Sequence, residues 1–211
     1  MTLVRERDAQ TDTGVKIVST AEGLAALRDP GCAAVLWRRA EIPGLRAWLA
    51  ALSPESLPKV RTTLRADQVQ KAAADICDES DLPAVPLREH LVKDIADLAD
   101  AFGSVMRAPY LRLRLERVTT NACRKFHIDA VTARLVCTYR GTGTQYGITK
   151  DDADPQNVFT VPTGDPILLR GTVWPSKTTA RCLHRSPPIE GTGETRLVLV
   201  LDPVFDPEDD L

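Results

Sequence analysis

The sequence predicts an α+β fold in which helices pack on a β-sandwich or a β-barrel. In the first half of the 211-residue chain, apolar residues recur every three or four positions, which is helical spacing. From Tyr110 onward they alternate with polar residues or form short apolar runs, as strands do. No linker rich in glycine, serine or proline separates the two halves, so we expect residues 1–211 to form a single domain.

The first half contains four predicted helices and two predicted strands. Pro86–Met106 is the longest helix, because proline suits the first helical position and the leucines that follow share one face. We expect residues 15–108 to be mainly helical, and the polar residues 1–14 to be flexible. The other helices are Ala21–Arg28, Gly44–Leu52 and Ala66–Cys77, and the strands are Ala33–Trp37 and Val60–Leu64.

The second half contains predicted strands separated by turns. Tyr110–Val118 alternates strictly between polar and apolar residues, which is typical of a half-buried strand. Leu197–Leu201 is apolar throughout and therefore predicts a strand buried on both faces. This apolar run belongs to the predicted strand Arg196–Leu201, and the other strands are Ala133–Tyr139, Asn157–Val161, Pro166–Leu169 and Arg181–Leu183.

Composition limits the classes of partner. The net charge is −2 and the sequence pI is about 6.0, so a strongly basic nucleic-acid surface is excluded. The N-terminus lacks the apolar segment of a secretory signal, and no apolar run is long enough to cross a bilayer. We therefore expect a cytoplasmic protein whose partner is a small molecule or a peptide, with neither nucleic acid nor a membrane. Five cysteines without a CxxC pair predict mostly free thiols.

Two of the three histidines lie in the strand-rich half. In an extended segment His127 and Asp129 point to the same side, so both can bind one metal ion. His184 follows 57 residues later at the end of a predicted strand, where a sandwich could bring it opposite His127. Two histidines and one carboxylate leave coordination positions open, which suits non-haem Fe(II). A structural zinc site would more often be closed by four ligands.

Arg196 supplies a fourth candidate residue. It begins the apolar run at the end of the chain, so it needs an anionic partner or a place at the open end of the strand. Arginine can hold a carboxylate through two hydrogen bonds, so a dicarboxylate that chelates the iron could place its far carboxylate there. A structural ion pair with an acid such as Glu116 is the alternative.

The order His127, Asp129, His184, Arg196 resembles the signature of the iron(II)/2-oxoglutarate-dependent dioxygenase superfamily. The resemblance implies a double-stranded β-helix, or jelly roll, over residues 109–205, preceded by helices. It implies Fe(II) on His127, Asp129 and His184, and 2-oxoglutarate as a cosubstrate bound by Arg196, with Tyr139 or Thr138 assisting. The segments RLVCTYRGTGTQY and LHRSPPIEGTGETRLVLVLD also resemble an uncharacterised bacterial family, a domain of unknown function.

The resulting hypothesis is a hydroxylase-type oxygenase with an unidentified substrate. The main alternative is a cupin-like metal-binding protein without oxygenase activity, in zinc homeostasis, which needs the histidines and Asp129 but not Arg196. Zinc could also recruit Cys182, which shares a face with His184 in a regular strand. A sandwich that only binds other proteins, without a metal, is a third interpretation. His90 lies on the long predicted helix and is expected to have no ligand role.

Overall fold

The computed structural model describes residues 14–149, 153–175, 181–206 and 208. Its helices are α1 (Leu45–Ala51), α2 (Val69–Glu79) and α3 (Pro86–Met106), with 3₁₀ turns at Glu22–Arg28, Pro54–Ser56 and Ala66–Gln68. Its strands are β1 (Val15–Val18), β2 (Ala34–Trp37), β3 (Val60–Leu64), β4 (Tyr110–Val118), β5 (Ala133–Arg140), β6 (Gln145–Thr149), β7 (Phe159–Thr160), β8 (Pro166–Arg170), β9 (Arg181–Arg185) and β10 (Arg196–Val204).

The strands form two sheets of unequal size. The large sheet has seven strands in the order β1-β2-β8-β5-β10-β4-β3, and every neighbouring pair is antiparallel except β1 with β2. The small sheet has the order β7-β6-β9 and is antiparallel. A single bridge between His127 and His184 adds a short fourth segment beside β9.

Alternation along the strands gives the large sheet two different faces. In β4, Leu111, Leu113 and Leu115 are buried in the same core as α2 and α3. The intervening residues of β4 lie on the opposite face, which we call the inner face because it is turned toward the small sheet. Val198 and Val200 of β10 pack there in a second, smaller core with residues of β6 and β9.

Helix α3 is the main element covering the outer face. Its apolar side chains at positions 91, 95, 98 and 102 are fully buried in the larger core, as the helical spacing predicts. Pro86 occupies the first turn, and Arg107 ends the helix in the left-handed conformation with a φ of 54°. The observed bounds are those predicted from the sequence.

The mixed α+β class is confirmed, but the first half contributes more strand than the sequence indicates. Both β2 and β3, which were predicted, extend the large sheet, and β1 adds an edge strand that the sequence did not reveal. Ala21–Arg28 forms a 3₁₀ helix over Glu22–Arg28. Strand β6 was missed because Gly147 interrupts its apolar pattern; an added Cβ at Gly147 would lie 2.6 Å from the Asn157 carbonyl oxygen. The flexibility predicted for residues 1–14 falls almost entirely outside the described residues.

In the part of the chain that the structure describes, none of the helices combines the length and the apolar character needed to span a bilayer.

Gly171, just after β8, packs closely against the segment that carries Asp129. An added Cβ would lie 1.8 Å from the carbonyl oxygen of Val131, so we expect Gly171→Ala to lower the free energy of unfolding by about 1–3 kcal/mol. Gly103→Ala in α3 is the matched control, because its nearest contact is an ordinary 3.5 Å; we expect it to be neutral or to stabilise by about 0.5–1 kcal/mol. Urea unfolding measures the free energy of unfolding of both variants. Equal changes would contradict the close packing of Gly171 against Val131.

Candidate metal centre

Backbone pairing brings the two histidines together. The His127 N–H donates to the His184 carbonyl over 3.1 Å, and the His184 N–H donates to the His127 carbonyl over 3.0 Å. Two residues that exchange both hydrogen bonds lie directly opposite each other in an antiparallel ladder. Their rings are consequently neighbours, with centroids 4.5 Å apart. The sandwich thus places His184 opposite His127.

Asp129 completes a group of three. Its segment is held by the turn after β8, where the Thr172 N–H donates to the Asp129 carbonyl over 2.9 Å. The Asp129 carboxylate lies 3.4 Å from His127 Nε2 through Oδ1 and 2.9 Å from His184 Nε2 through Oδ2. Two atoms that each lie about 2.1 Å from one ion are separated by about 3.0 Å at a right angle and about 3.4 Å at the tetrahedral angle. One ligand atom from each of the three side chains lies within 4.8 Å of the other two, so small shifts would let them share an ion.

The hydrogen bonds of these side chains leave the facing atoms available. His127 Nδ1 lies 2.9 Å from the Lys125 carbonyl oxygen, so with a proton on Nδ1 its Nε2 keeps a free lone pair. Metal-binding histidines commonly donate in this way to a backbone carbonyl. Asp129 Oδ2 is buried and accepts no hydrogen bond of good geometry, and His184 Nδ1 is buried without a hydrogen-bond partner among the described residues. Hydrogen bonds within the described residues therefore do not satisfy all the polar atoms of these three side chains.

The pKa values of the three residues reflect burial and mutual contact. Burial acts to raise the pKa of Asp129, but the two imidazoles and the Arg134 guanidinium outweigh it and hold that pKa below its usual range. Burial lowers the pKa of His184, against the opposing effect of Asp129. The hydrogen bond to Asp129 raises the pKa of His127. Asp129 is therefore ionised and His184 is neutral at pH 7, which are the forms that bind metal.

Arg134 is a residue that the sequence analysis did not identify. Its guanidinium pairs with Asp129 Oδ1 at 2.5 Å through Nη1 and holds Asp202 through Nε at 2.6 Å and Nη2 at 2.8 Å. Asp202, on β10, is only 1% exposed. Arg134 leaves Asp129 Oδ2 as the carboxylate oxygen free for an ion. The signal in the sequence was an arginine and an aspartate on two strands that are both largely apolar.

Arg196 is buried on the inner face and has no carboxylate partner. It is 2% exposed, and its guanidinium donates to the Thr142 carbonyl at 2.6 Å and to the Thr138 hydroxyl at 3.2 Å. Within the described residues no acid lies within ion-pair distance, so the expected alternative pairing with Glu116 is not formed. Burial lowers the pKa of Arg196 to about 10, with Glu194 opposing. A buried cation without an anion is costly.

Thr138 and Tyr139 were both predicted to assist Arg196, and the structure separates them. Thr138 lies on the inner face against the guanidinium. The expectation for Tyr139 is corrected: successive strand residues point to opposite faces, so its side chain lies on the outer face, where its hydroxyl donates to Asp94 over 2.7 Å. A surface cleft lined by Tyr139, Arg39 and Asp165 also opens on that outer side, away from the three ligands.

The cysteines do not join the metal group. Among the described residues the cluster of metal-ligating side chains consists of His127, Asp129 and His184 and contains no thiol. Cys182 and Cys137 are buried, and burial raises the pKa of each thiol to about 12, which keeps them protonated. His90 is exposed on α3, far from any such group in the described part of the chain.

These observations define a two-sheet α+β protein with a candidate mononuclear His/Asp/His centre between the sheets and a buried arginine on the inner face. The chain belongs to the family described as "Protein of unknown function (DUF1826)", whose sequence profile matches residues 19–202. The comparison with curated proteins found no match.

Solved structures support the dioxygenase resemblance at the level of fold. The rice dioxygenase for auxin oxidation is similar, with a TM-score of 0.50 and 16% identity over 93% of this chain and 84% of that one. The Arabidopsis thaliana dioxygenase for auxin oxidation 1, in a binary complex with 2-oxoglutarate, has a TM-score of 0.51 and 10% identity over 91% of this chain and 93% of that one. At these identities the likeness concerns the fold alone.

Replacing Arg134 should weaken metal binding without abolishing it. In Arg134→Gln the Asp129 carboxylate loses its charged partner, so we expect affinity for a divalent ion such as Mn(II) to fall about 10–100-fold. Arg140→Gln, at the end of the same strand, is the control, because Arg140 donates to the Leu52 carbonyl and not to the centre. Isothermal titration measures both, and equal affinities would show that Arg134 does not position Asp129.

Metal affinity should decrease as the pH falls. His127 must be neutral to bind an ion, and its hydrogen bond to Asp129 raises its pKa above 6.5 in the metal-free protein. Protons therefore compete with the ion from about neutral pH downward, and we expect up to about a tenfold loss of Mn(II) affinity per pH unit there. Competition with a chelating dye between about pH 6 and 8 measures this, and a flat profile would exclude His127 as a ligand.

Proposed function

We propose that the protein is a mononuclear non-haem Fe(II), 2-oxoglutarate-dependent oxygenase of the hydroxylase type, and that it acts on a small molecule or a peptide side chain. The observation that carries the proposal is the buried Arg196 guanidinium, which has no carboxylate partner among the described residues and lies on the inner face, turned toward the small sheet that carries His184. A dicarboxylate cosubstrate would supply the missing anion.

The strand order supports a double-stranded β-helix, or jelly roll, as the finer description of the fold. From β4 to β10 the chain alternates between sheets: β4 large, His127 segment small, β5 large, β6 and β7 small, β8 large, β9 small and β10 large. Crossing repeatedly between two facing sheets produces the jelly-roll arrangement. The three ligands and Arg196 would then all point into the space between the sheets.

The residues present fit a metal ion. The ligand atoms of His127, Asp129 and His184 lie within 4.8 Å of one another, and Asp129 Oδ2 is buried without a good hydrogen bond. Three ligands on one side leave further positions open, which favours Fe(II) that also binds a cosubstrate over a closed zinc site. Zinc remains the alternative metal.

Arg196 would hold the far carboxylate of 2-oxoglutarate. Its Nε and Nη2 atoms already donate to Thr142 and Thr138, and Nη2 also lies 3.4 Å from the Thr144 hydroxyl, so the guanidinium is fixed in place. The hydroxyl of Thr138 could in turn donate to a carboxylate. Charge-assisted hydrogen bonds to a carboxylate in a buried site are about twice as strong as neutral ones.

The chain's own groups would orient the reactants and exclude water. Bound Fe(II) and 2-oxoglutarate would supply the activation of O₂, coupled to decarboxylation of the cosubstrate to succinate and CO₂, for oxidation of a C–H bond. His127 and His184 would hold the ion from one side, with Asp129 fixed by Arg134. The apolar residues Val198 and Val200 would keep water away from the space beside the ion.

The cupin-like alternative, a metal-binding protein in zinc homeostasis, requires no anion at Arg196. Nothing in the geometry of the histidine and aspartate group distinguishes it, because the same three ligands serve both functions. The burial of Arg196 distinguishes the two functions, because burying a cation without an anion is costly and a metal-binding protein would gain nothing from it. We propose further that the protein acts in the cytoplasm, on neither nucleic acid nor membranes.

The decisive experiment is an anaerobic titration of the Fe(II)-loaded protein with 2-oxoglutarate. We expect a metal-to-ligand charge-transfer band in the visible region, and succinate formation when O₂ is admitted. Arg196→Gln should keep stoichiometric metal and weaken 2-oxoglutarate binding by at least about tenfold, the loss of a charge-assisted contact. His184→Ala should lose the metal and the band together.

Two results would count against the proposal. If Arg196→Gln binds 2-oxoglutarate with unchanged affinity, as followed by the charge-transfer band, Arg196 is not part of the cosubstrate site. Stoichiometric metal with no band and no succinate in the wild-type protein would favour the metal-binding alternative. Circular dichroism of each variant controls for folding.

A further inference from the structure

The inner face carries a second group of charged residues beside the metal centre. Arg134 connects Asp129 to Asp202. Asp202 Oδ2 also lies 3.1 Å from Arg114 Nη2 and 3.9 Å from Arg112 Nη1 on the neighbouring strand β4. One buried carboxylate is therefore surrounded by three guanidinium groups.

Strand β3 brings a fourth arginine to this group. Arg61 lies directly opposite Arg114 in the antiparallel β3–β4 pair. Side chains that face each other in this way share one face of the sheet, and like charges there are destabilising. Arg61 is exposed, and within the described residues no carboxylate lies within ion-pair distance of it. The pair thus lacks a bridging anion.

Arg114 pairs with Asp202 through Nη2 but keeps one unsatisfied donor. Its Nε atom is buried and has no hydrogen-bond partner in the described part of the chain. Burial lowers its pKa, and so do the charges of Arg134 and Arg61, whereas Asp202 and Glu116 oppose them. Asp202 does not pair with Arg61, because its carboxylate oxygens already accept hydrogen bonds from Arg134 and Arg114.

This group and Arg196 contact opposite halves of strand β5. On β5, Arg134 contacts Asp129, while Thr138 contacts Arg196. Four residues of strand span about 13 Å, so a cosubstrate held by Arg196 would leave the Arg61 and Arg114 end free. An anion bound there would lie on the same sheet face as Arg134 but two to three strands away from β5, a distance of about 10–14 Å.

We infer that Arg61 and Arg114 form a subsite for an oxyanion, a carboxylate or a phosphate, of the molecule that the enzyme oxidises. An oxyanion between them would accept from Arg114 Nε and neutralise the like-charged pair. The assignment of this anion as substrate rests on the proposed function, whereas the anion site itself does not. The substrate class is accordingly an acidic small molecule or an acidic peptide segment.

Anion binding to the metal-free full-length protein tests the subsite. Inorganic phosphate and acetate are titrated separately at constant ionic strength, with isothermal titration and thermal unfolding as readouts. We expect saturable binding of at least one anion, weakened at least tenfold in Arg114→Gln and in Arg61→Gln. The anion that binds more tightly distinguishes phosphate from carboxylate. Arg61→Gln guards against misfolding, because Arg61 is exposed and makes no ion pair among the described residues.

Two controls locate the bound anion. Arg117→Gln removes one positive charge from the same strand at a position where the guanidinium donates to the Pro54 carbonyl, and it should bind like the wild type. Arg196→Gln should also bind like the wild type. No saturable binding, equal binding in Arg61→Gln, or loss of binding only in Arg196→Gln overturns the inference. If the anion still binds but the 2-oxoglutarate titration gives no band, the proposed oxygenase function is rejected and the anion subsite is retained.

Discussion

The Arg134 guanidinium lies between two carboxylates, Asp129 in the candidate centre and Asp202 at the far end of β10, and the geometry of the centre depends on it. One carboxylate oxygen of Asp129 is occupied by Arg134, so the other is directed at His184. Asp202 in turn holds Arg134 through two hydrogen bonds in a position that excludes water. Removing one member of such a buried pair leaves an uncompensated charge, which typically costs about 3–5 kcal/mol.

The two faces of the large sheet have different roles: the outer face forms the main hydrophobic core, and the inner face carries the charged residues. The outer face, with the leucines of β4 and β10, packs on α3 in an apolar core that contains most of the buried hydrophobic side chains. The inner face has fewer apolar residues, carries Asp202, Arg134 and Arg196, and is turned toward the small sheet, which carries His184. In a buried environment each charge interaction is stronger, but each unmatched charge is also more costly. Among the described residues, Arg196 has no carboxylate partner, and Arg114 keeps one buried N–H without an acceptor although it pairs with Asp202.

The first half of the chain does more than cover the sheet. Its strands β1 and β2 extend one edge beside β8, and β3 extends the other beside β4. Because β3 pairs with β4, it places Arg61 on the inner face, so a segment that precedes the long helix contributes to the same space as the metal ligands. This gives the N-terminal half a role that its helical periodicity did not suggest.

The sequence by itself determined the α+β class, the bounds of α3 and β4, and the His127–Asp129 pair, because each depends on local spacing, whereas strand pairing brings His184 to that pair. Periodicity shows which residues share a face, and a His-x-Asp pair in extended chain converges whatever surrounds it. It also indicated that Arg196 needed an anion. Only the tertiary structure decided that Thr138 and not Tyr139 contacts Arg196, since the face that a strand residue occupies depends on which sheet side is covered. Arg134, Asp202 and Arg61 emerged only there as well, because their partners are remote in sequence and strand pairing alone brings them together.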